Sequence, residues 1–416
     1  MFNRLKGTRD IFGYDSKILD YIRNTFFDIA KKYNYSYIET PIIEEAELFI
    51  RSSGETSDIV SKEMYLFKDK GDRNLALRPE GTASIIRAFV ENKIDNLQQS
   101  KLFYFGPMFR YERPQKGRYR QFLQGGVELI APKNELNNFE IIKLAYDFLK
   151  KLKIENLVLE INNLGSIQTR NEYIKKLKSY FEPYKKDFDE LTLSRLEKNV
   201  LRILDDKNLA ELDFVKNAPK LLDYLTVDEK EQFNSLLNLL KAFNIDYVIN
   251  PNLVRGLDYY NDIVFEFVSS SEALGTKSTV LAGGRYDGMI SEFNGPNLDS
   301  IGFAFGVDRI MEIIKNDCQN IEELTDQIDI LIGYTSDFDK DEIVKIAYDL
   351  RKNFTVHLIN QPTTIKNLFK QKFNLNPKLL IFKELNSKPM EIKIKNQELD
   401  ETIIYSDSSD ISKILK

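Results

Sequence analysis

The chain has 416 residues, of which 42% are hydrophobic and 30% charged, and its formal net charge is −5 at pH 7. This composition is typical of a soluble globular protein of about two or three domains, and the acidic balance gives no argument for nucleic-acid binding by the bulk surface. The sequence has no apolar run near the ~20 residues that span a bilayer. It also lacks the apolar segment of a secretory signal after Met1.

The sequence holds one cysteine, Cys318, and one histidine, His357. A single cysteine cannot form an internal disulfide, which fits a reducing cytoplasm. A single histidine excludes most histidine-based metal sites and histidine-dependent catalytic triads. Acid–base chemistry would then depend on carboxylates, lysines, tyrosines or the substrate itself.

The first hundred residues predict a mixture of helices and strands. An irregular arm over residues 1–15 precedes a helix over residues 16–33, which Ser16 is suited to cap. Pro41 interrupts a strand over residues 35–43, and a helix follows over residues 44–51. Strands over residues 64–69 and 74–78 lead into Arg78-Pro-Glu80-Gly-Thr82, where Thr82 is suited to cap a helix over residues 83–90. This segment is either a capped turn with solvated charges or the edge of a site formed by Glu80 and Thr82.

Residues 102–129 are the most informative stretch. Two arms rich in aromatic and β-branched residues flank a loop with a proline and a glycine, which predicts an antiparallel hairpin. Alternation along the return arm places Phe122, Gln124, Gly126 and Glu128 on one face. A sheet with one wet face would explain this pattern, and so would a ligand surface. The loop favours contact with a polyanion, because a hairpin needs no such charge to close; its basic residues are Arg113, Lys116, Arg118 and Arg120.

Beyond the hairpin the pattern predicts a helix over residues 138–152 and a strand over 157–161. Residues 166–243 are rich in Lys, Leu and Glu at helical spacing, which predicts a helical insertion with a solvated charged face. Strands resume at residues 263–268, 279–288 and 302–306, and the last runs into a helix that ends near residue 315. Arg309 falls in the first turn of that helix, where the dipole disfavours a cation and favours an anion. Either a bound phosphate or a reach toward Asp308 or solvent would explain this arginine.

From residue 326 strands alternate with helices, which predicts a small α/β domain with a mostly parallel sheet. We therefore predict a core in two parts, residues 1–165 and 244–322. The helical insertion at residues 166–243 separates them, and a C-terminal domain occupies residues 326–416.

These segments, in this order, resemble the signatures of class II aminoacyl-tRNA synthetases and specifically of the histidyl-tRNA synthetase family. Phe109-Arg-Tyr-Glu112 with its basic loop is similar to the second signature, and residues 302–309 are similar to the third. The surroundings of Pro41 resemble the first signature, which usually lies at a dimer interface. Residues 255–260 and 282–288 resemble blocks particular to the histidine enzymes. The resemblance implies an α+β fold: a class II synthetase antiparallel sheet core with a helical insertion, plus a C-terminal α/β anticodon-binding domain.

The resemblance also implies an activity. A ligase of this family activates L-histidine with ATP to histidyl-adenylate and transfers it to the 3′ end of tRNA(His), as a homodimer in the cytoplasm. Mg²⁺ would be carried with ATP, and neither a protein-only metal site nor a membrane contact is implied.

The same resemblance implies a role for individual residues. Catalytic roles fall to Arg255, Arg110 and Gln124. ATP binding falls to Arg110, Glu112, Phe122 and Arg309. The acceptor end of tRNA would approach Arg113, Gln115 and Arg120. Histidine binding is implied for Glu80, Gly81, Thr82, Gln124, Glu128, Tyr259, Tyr260 and Tyr286.

Two departures from the family pattern stand out. The third signature usually has Glu where this chain has Asp308, which keeps the charge but shortens the reach. The family often has His where Leu123 stands, on the apolar side of the predicted strand. Two rival functions stay open: a regulatory paralogue that binds histidine without charging tRNA, and a non-catalytic tRNA-binding or kinase-regulating module.

Overall fold

The computed structural model describes residues 2–54, 57, 59–94, 100–198, 200–204, 209, 212–254, 259–275, 278–317, 324, 328–384, 387–396 and 399–415. The chain divides into two compact units, Met1–Ile321 and Glu322–Lys416. Among the described helices, none combines the length and the apolar character needed to cross a membrane.

An eight-stranded sheet forms the core of the first unit, with the strand order β1-β5-β6-β11-β10-β9-β7-β8. Its strands are β1 Ser36–Tyr37, β5 Ser100–Phe109, β6 Gln121–Ile130, β7 Leu157–Asn163, β8 Tyr247–Ile249, β9 Asn261–Ser269, β10 Ser278–Arg285 and β11 Ser300–Gly306. Every pairing from β5 through to β7 is antiparallel, and only the short edge strands β1 and β8 pair in parallel. The predicted hairpin and the antiparallel sheet core are confirmed.

Helices cover one face of this sheet and fill the connections between its strands. Phe26 and Phe148, from two of these helices, pack against Phe305 of β11 with ring centroids 4.8 and 4.6 Å away. These aromatic rings fix the buried face, which leaves the opposite face of β6 and β11 available for a site. The helices of the first unit are α1 Tyr14–Lys32, α2 Ala46–Ser53, α3 Thr82–Glu91, α4 Glu135–Lys151, α5 Ile167–Phe181, α6 Glu190–Lys198, α7 Leu201–Leu204, α8 Asp213–Lys216, α9 Val227–Ala242, α10 Met289–Glu292 and α11 Val307–Asp317.

Pro41 separates two sheets rather than merely interrupting one strand. Before it, β1 joins the large sheet; after it, β2 Ile43–Glu45 pairs with β4 Asn74–Leu77, which also pairs with β3 Tyr65–Lys68. The predicted start of the following helix at residue 44 is wrong, because Glu44 and Glu45 belong to β2 and the helix begins at Ala46.

The predicted cap of the first helix is also wrong. The structure begins α1 at Tyr14 after Gly13, whose φ of 59° is a left-handed conformation that glycine adopts readily. Ser16 therefore lies inside the first turn, where its Oγ donates a hydrogen bond to Gly13 O at 2.7 Å.

The described parts of residues 166–243 hold helices and turns. The Glu229 carboxylate is hydrogen-bonded to the N-cap residues of two helices. It accepts from Thr226 N at 2.8 Å as part of a capping box, and from Ser166 N at 2.8 Å. These bonds tie the start of α5 to the start of α9. Tyr173, Phe181 and Leu225 belong to the apolar cluster beneath them.

The second unit is a five-stranded sheet with the order β13-β12-β14-β15-β16. Its strands are β12 Ile330–Tyr334, β13 Val356–Leu358, β14 Leu379–Lys383, β15 Glu391–Lys395 and β16 Asp400–Ile404, and its helices are α12 Lys340–Leu350, α13 Ile365–Leu375 and α14 Ser409–Ser412. The first three strands pair in parallel as predicted, whereas β15 and β16 add two antiparallel pairings. The mostly parallel prediction is therefore correct for only half of the pairings.

Candidate active site

A cavity of about 410 Å³ opens on the exposed face of the large sheet. It lies between β6, β10 and β11, the hairpin loop at residues 110–120, the start of α3 and the start of α11. The structure brings nine of the predicted site residues to its wall: Glu80, Thr82, Arg110, Glu112, Phe122, Gln124, Tyr259, Tyr260 and Arg309.

The strand register explains why β6 can supply a binding face. Gln124 lies between Gly106 and Gly306 of the neighbouring strands, and Glu128 lies between Leu102 and Gly302. The glycines, two beside Gln124 and one beside Glu128, leave space next to these polar side chains. At Gly302 the requirement is strict, because a Cβ there would overlap the Glu128 Oε2 atom.

Glu128 lies at the deep end of this face and is 1% exposed. Its carboxylate accepts a hydrogen bond from Thr82 Oγ1 at 2.7 Å and another from Tyr286 OH at 2.5 Å. Burial raises the pKa of Glu128 to about 8, against the lowering effect of these two donors. The structure thus gathers Thr82, Glu128 and Tyr286, all predicted to bind histidine, into one hydrogen-bonded group.

Glu80 caps α3, and the predicted cap by Thr82 is wrong. The Glu80 carboxylate accepts from Thr82 N at 2.7 Å and from Ala83 N at 2.9 Å, so it satisfies the free amides at the helix start. The Thr82 hydroxyl is turned instead toward Glu128. Burial raises the pKa of Glu80, although the two amides and Arg110 oppose this change.

Gln124 joins Gly81 to the sheet. Its Oε1 accepts from Gly81 N and from Tyr104 OH, each at 3.2 Å. A Cβ on Gly81 would overlap the Tyr104 ring. The close approach of backbone to ring therefore requires glycine at this position.

Arg110, Arg118 and Arg309 line the cavity beside the hairpin loop. Arg110 Nε donates to Pro79 O at 2.9 Å, and its guanidinium lies 5.3 Å from the centroid of the Phe122 ring. Arg309 Nη1 donates to Thr279 O. Burial, together with the nearby cations Arg118 and Arg110, lowers the pKa of Arg309 to about 10, so it stays charged at neutral pH.

Arg309 does not reach back to Asp308, one of the alternatives that the sequence left open. Asp308 is 3% exposed and is engaged elsewhere. One of its oxygens forms an ion pair with Arg9, and the other accepts from Leu123 N at 2.9 Å. Sequence reasoning missed Arg9, because the irregular arm that carries it has no periodic pattern.

The hairpin loop is held by its own side chains. Arg120 Nε donates to Glu112 O at 3.2 Å, and its guanidinium lies 3.7 Å from the centroid of the Tyr111 ring. Arg118 contacts the Glu112 carboxylate at 3.4 Å. The side chains of Arg113 and Gln115 are exposed.

Arg255 lies in residues 255–258, outside the described residues, so its predicted role stays a prediction. Among the residues that the structure describes, no group of three or more His, Cys, Asp or Glu side chains could hold a metal ion.

Comparison with known proteins decides the family. A sequence model of the family described as "Histidyl-tRNA synthetase" matches residues 7–310. The chain belongs to the histidyl-tRNA synthetase family. The histidine–tRNA ligase of Mycoplasmopsis pulmonis is 45% identical over 409 residues, which cover 97% of this chain and 95% of that protein. The histidine–tRNA ligase of Mycoplasma mobile is 44% identical over 400 residues, with 95% and 88% covered.

Solved structures extend the likeness to the fold. The structure of apo histidyl-tRNA synthetase from S. aureus superimposes with a TM-score of 0.82 at 32% identity, with both chains fully covered. The α+β class II synthetase fold of this family member is therefore confirmed. An ATP phosphoribosyltransferase regulatory subunit/histidyl-tRNA synthetase from Bacillus halodurans reaches a TM-score of 0.65 at 22% identity, covering 93% of this chain, which reflects the fold alone.

Proposed function

We propose that this histidyl-tRNA synthetase family member activates L-histidine with ATP and transfers the histidyl group to the 3′ end of tRNA(His). The observation that carries the proposal is the polarity of one cavity. Three guanidinium groups, those of Arg110, Arg118 and Arg309, border it, and the Glu112 carboxylate lies beside Arg118. The Glu80 carboxyl group also lies in the wall, and Glu128 is hydrogen-bonded to Thr82 behind it.

The first step needs fixed positive charge. The histidine carboxylate attacks the α-phosphorus of ATP, a P–O bond forms, and pyrophosphate leaves with the electron pair of the broken bond. Negative charge builds on the phosphate oxygens, so preorganised guanidinium groups lower the barrier. In the proposal Arg110 and Arg255 contact the α-phosphate and Arg309 the γ-phosphate. Mg²⁺ enters with ATP as part of that substrate.

The remaining cavity residues position the two substrates. The Phe122 ring would stack on adenine, with Glu112 near its amino group. Gly81 and Gln124 would hold the amino-acid end of histidine together with Glu80 and Thr82. Glu128, Tyr259, Tyr260 and Tyr286 would bind the imidazole ring, whose two nitrogens need complementary partners.

The second step transfers the histidyl group. A terminal ribose hydroxyl of tRNA attacks the carbonyl carbon of the adenylate, and AMP leaves. No protein nucleophile is required. Arg113 and Gln115, exposed in the hairpin loop, would approach the acceptor end. Arg120 would act there through its packing on Tyr111, which shapes the loop.

We propose a homodimer, because the small sheet that follows Pro41 exposes Ile43, Leu66 and Phe67, and apolar side chains grouped in this way favour association. We propose that it works in the cytoplasm, because a single cysteine fits a reducing compartment. We also propose that the second unit reads the anticodon. The near full-length likeness to histidine–tRNA ligases favours charging over the regulatory paralogue.

Histidine- and ATP-dependent pyrophosphate exchange tests the proposal. We expect exchange with the parent protein and loss of most of it in Arg255→Ala, with circular dichroism unchanged. Arg23→Ala is the matched control, because Arg23 forms an exposed ion pair with Asp20 on α1. Charging of tRNA(His) by the same preparation separates the ligase from the regulatory paralogue. Exchange without preference for histidine would refute the assignment.

A further inference from the structure

The N-terminal arm crosses the base of the hairpin loop. Gly7 O accepts the backbone N–H of Arg120 at 2.7 Å, and Gly7 has a φ of 87°. A Cβ at Gly7 would come within 2.7 Å of Arg120 Cγ. The arm is therefore fitted closely against the residue that closes the loop, in a conformation that favours glycine.

Arg9, two residues further on, is enclosed by the functional elements. Its side chain is 10% exposed and forms an ion pair with Asp308. One guanidinium nitrogen also lies 3.1 Å from Met311 Sδ, and the guanidinium lies 4.7 Å from the centroid of the Tyr119 ring. Asp15 is a more distant anionic neighbour at 3.7 Å. One side chain thus contacts both the hairpin loop and the first turns of α11.

Asp308 extends this connection into the sheet. Its second oxygen accepts from Leu123 N at 2.9 Å, between Phe122 and Gln124 of β6. The residue after Asp308 is Arg309, which borders the cavity. The chain Arg9–Asp308–Leu123 therefore joins the N-terminal arm to two segments, β6 and the start of α11, that both line the cavity.

The energetic reason for the pairing is burial. A carboxylate as buried as Asp308 is costly unless a cation and hydrogen-bond donors compensate its charge. Asp308 also lies in the first turn of α11, where an anion is favourable. Arg9 supplies the cation, and its planar guanidinium can pair with Asp308 and lie against Tyr119 at the same time.

We propose that Arg9 is a positioning residue for ATP: it holds the start of α11, with Arg309, at a fixed separation from the hairpin loop, with Arg110. The inference rests on the proposed function, because that function assigns Arg110 and Arg309 to the phosphate groups of ATP. Arg9 itself is not in the cavity wall. It acts through Asp308 and Tyr119.

The test compares Arg9→Ala and Arg9→Lys with the control Arg23→Ala in the pyrophosphate exchange assay. Displacing Arg309 or Arg110 would weaken a hydrogen bond to a charged phosphate, which corresponds to about 10- to 100-fold in affinity, so we expect the ATP KM of Arg9→Ala to rise by about tenfold or more. The histidine KM should stay within about twofold, because no Arg9 contact lies at Glu128. Arg9→Lys should fall between parent and Arg9→Ala, because lysine keeps the charge and loses the planar group.

Hydrogen exchange in the hairpin loop is measured beside the kinetics. In Arg9→Ala, hydrogen exchange at residues 110–121 should be faster than in the parent and in Arg23→Ala. If Arg9→Ala does not fold, Arg9→Lys carries the test, with a smaller rise confined to the ATP KM. A folded variant with an unchanged ATP KM, or with equal rises in both KM values, would overturn the inference and leave the proposed function standing. A parent without histidine-dependent exchange would overturn both.

Discussion

Replacing Glu128 with glutamine should change how histidine binding depends on pH. Burial raises the pKa of Glu128 to about 8, so at pH 7 roughly nine in ten empty pockets hold the protonated carboxyl. The imidazole of free histidine has an ordinary pKa near 6.5. We expect the complex to keep one proton between carboxyl and imidazole, because a buried pair without net charge costs least.

The pH dependence of histidine binding follows from that shared proton. Below about pH 6.5 the free partners carry two protons and one must be lost on binding; above about pH 8 they carry none and one must be gained. The kcat/KM for histidine should therefore be highest between these values, with the upper limb set by Glu128. Glutamine cannot ionise, so Glu128→Gln should lose the upper limb. It should also raise the histidine KM by about 10- to 100-fold, as expected for a lost hydrogen bond to a charged group worth about 1.5–3 kcal/mol.

The same pKa gives a stability prediction whose sign can be checked. A folded-state pKa of about 8 against the ordinary value of 4.5 means that the folded state binds the proton more tightly. The free energy of unfolding should then fall as pH rises from about 4.5 to 8, by about 5 kcal/mol at most from this group. Thermal unfolding between pH 6 and 9 should thus depend less on pH in Glu128→Gln than in the parent.

Pyrophosphate exchange at limiting histidine and saturating ATP, measured from pH 5.5 to 9.5, tests the argument, with parent and variant in the same buffers. Retention of the limb near pH 8 by Glu128→Gln would assign that limb to another group. A parent value that still rises above pH 8 would show that the bound pair holds no shared proton. Either result would refute the reasoning.

Two further substitutions follow from the geometry. Gly302→Ala should raise the histidine KM at least about tenfold, because its Cβ would displace the Glu128 carboxylate. Gly71→Ala is the control, because its Cβ meets only Asp69 at 3.4 Å, and its histidine KM should not change. The exchange assay measures both values, and equal histidine KM values in the two variants would contradict the packing argument. Arg113→Ala should weaken tRNA binding and reduce the slope of log K against log salt by about one, because one exposed phosphate contact is lost. Titration of labelled tRNA at several salt concentrations measures that slope, and an unchanged slope would place Arg113 away from the acceptor end.

Local pattern was sufficient for much of the fold. Alternation along residues 121–130 predicted the face that carries Phe122, Gln124 and Glu128, because side chains of a strand must point to opposite sides. The same rule could have found β15, where Ile392 and Ile394 are buried between charged neighbours. The antiparallel return of β15 on β14 was not predicted, since register depends on tertiary pairing.

Contacts between distant residues were beyond pattern reasoning. Thr82 is a good local cap, yet its hydroxyl bonds Glu128, 46 residues away, and Glu80 caps the helix. Arg9 and Asp308 are separated by 299 positions, and nothing in the spacing of either residue indicates the other. The resemblance to a family pointed to individual ligand-binding residues, but only coordinates could reveal which side chains hold them in place.

The seam where β6 pairs with β11 has a consequence for folding during biosynthesis. The two strands are adjacent in the sheet, but about 170 residues of chain lie between Ile130 and Ser300. A nascent polypeptide emerges from its N-terminus and must close this long loop before the seam can form. Chains released before Arg309 would carry Phe122, proposed to stack on adenine, without the arginine proposed to hold the γ-phosphate. The affinity of the nascent chain for ATP should therefore appear abruptly, late in translation, rather than increase gradually with chain length.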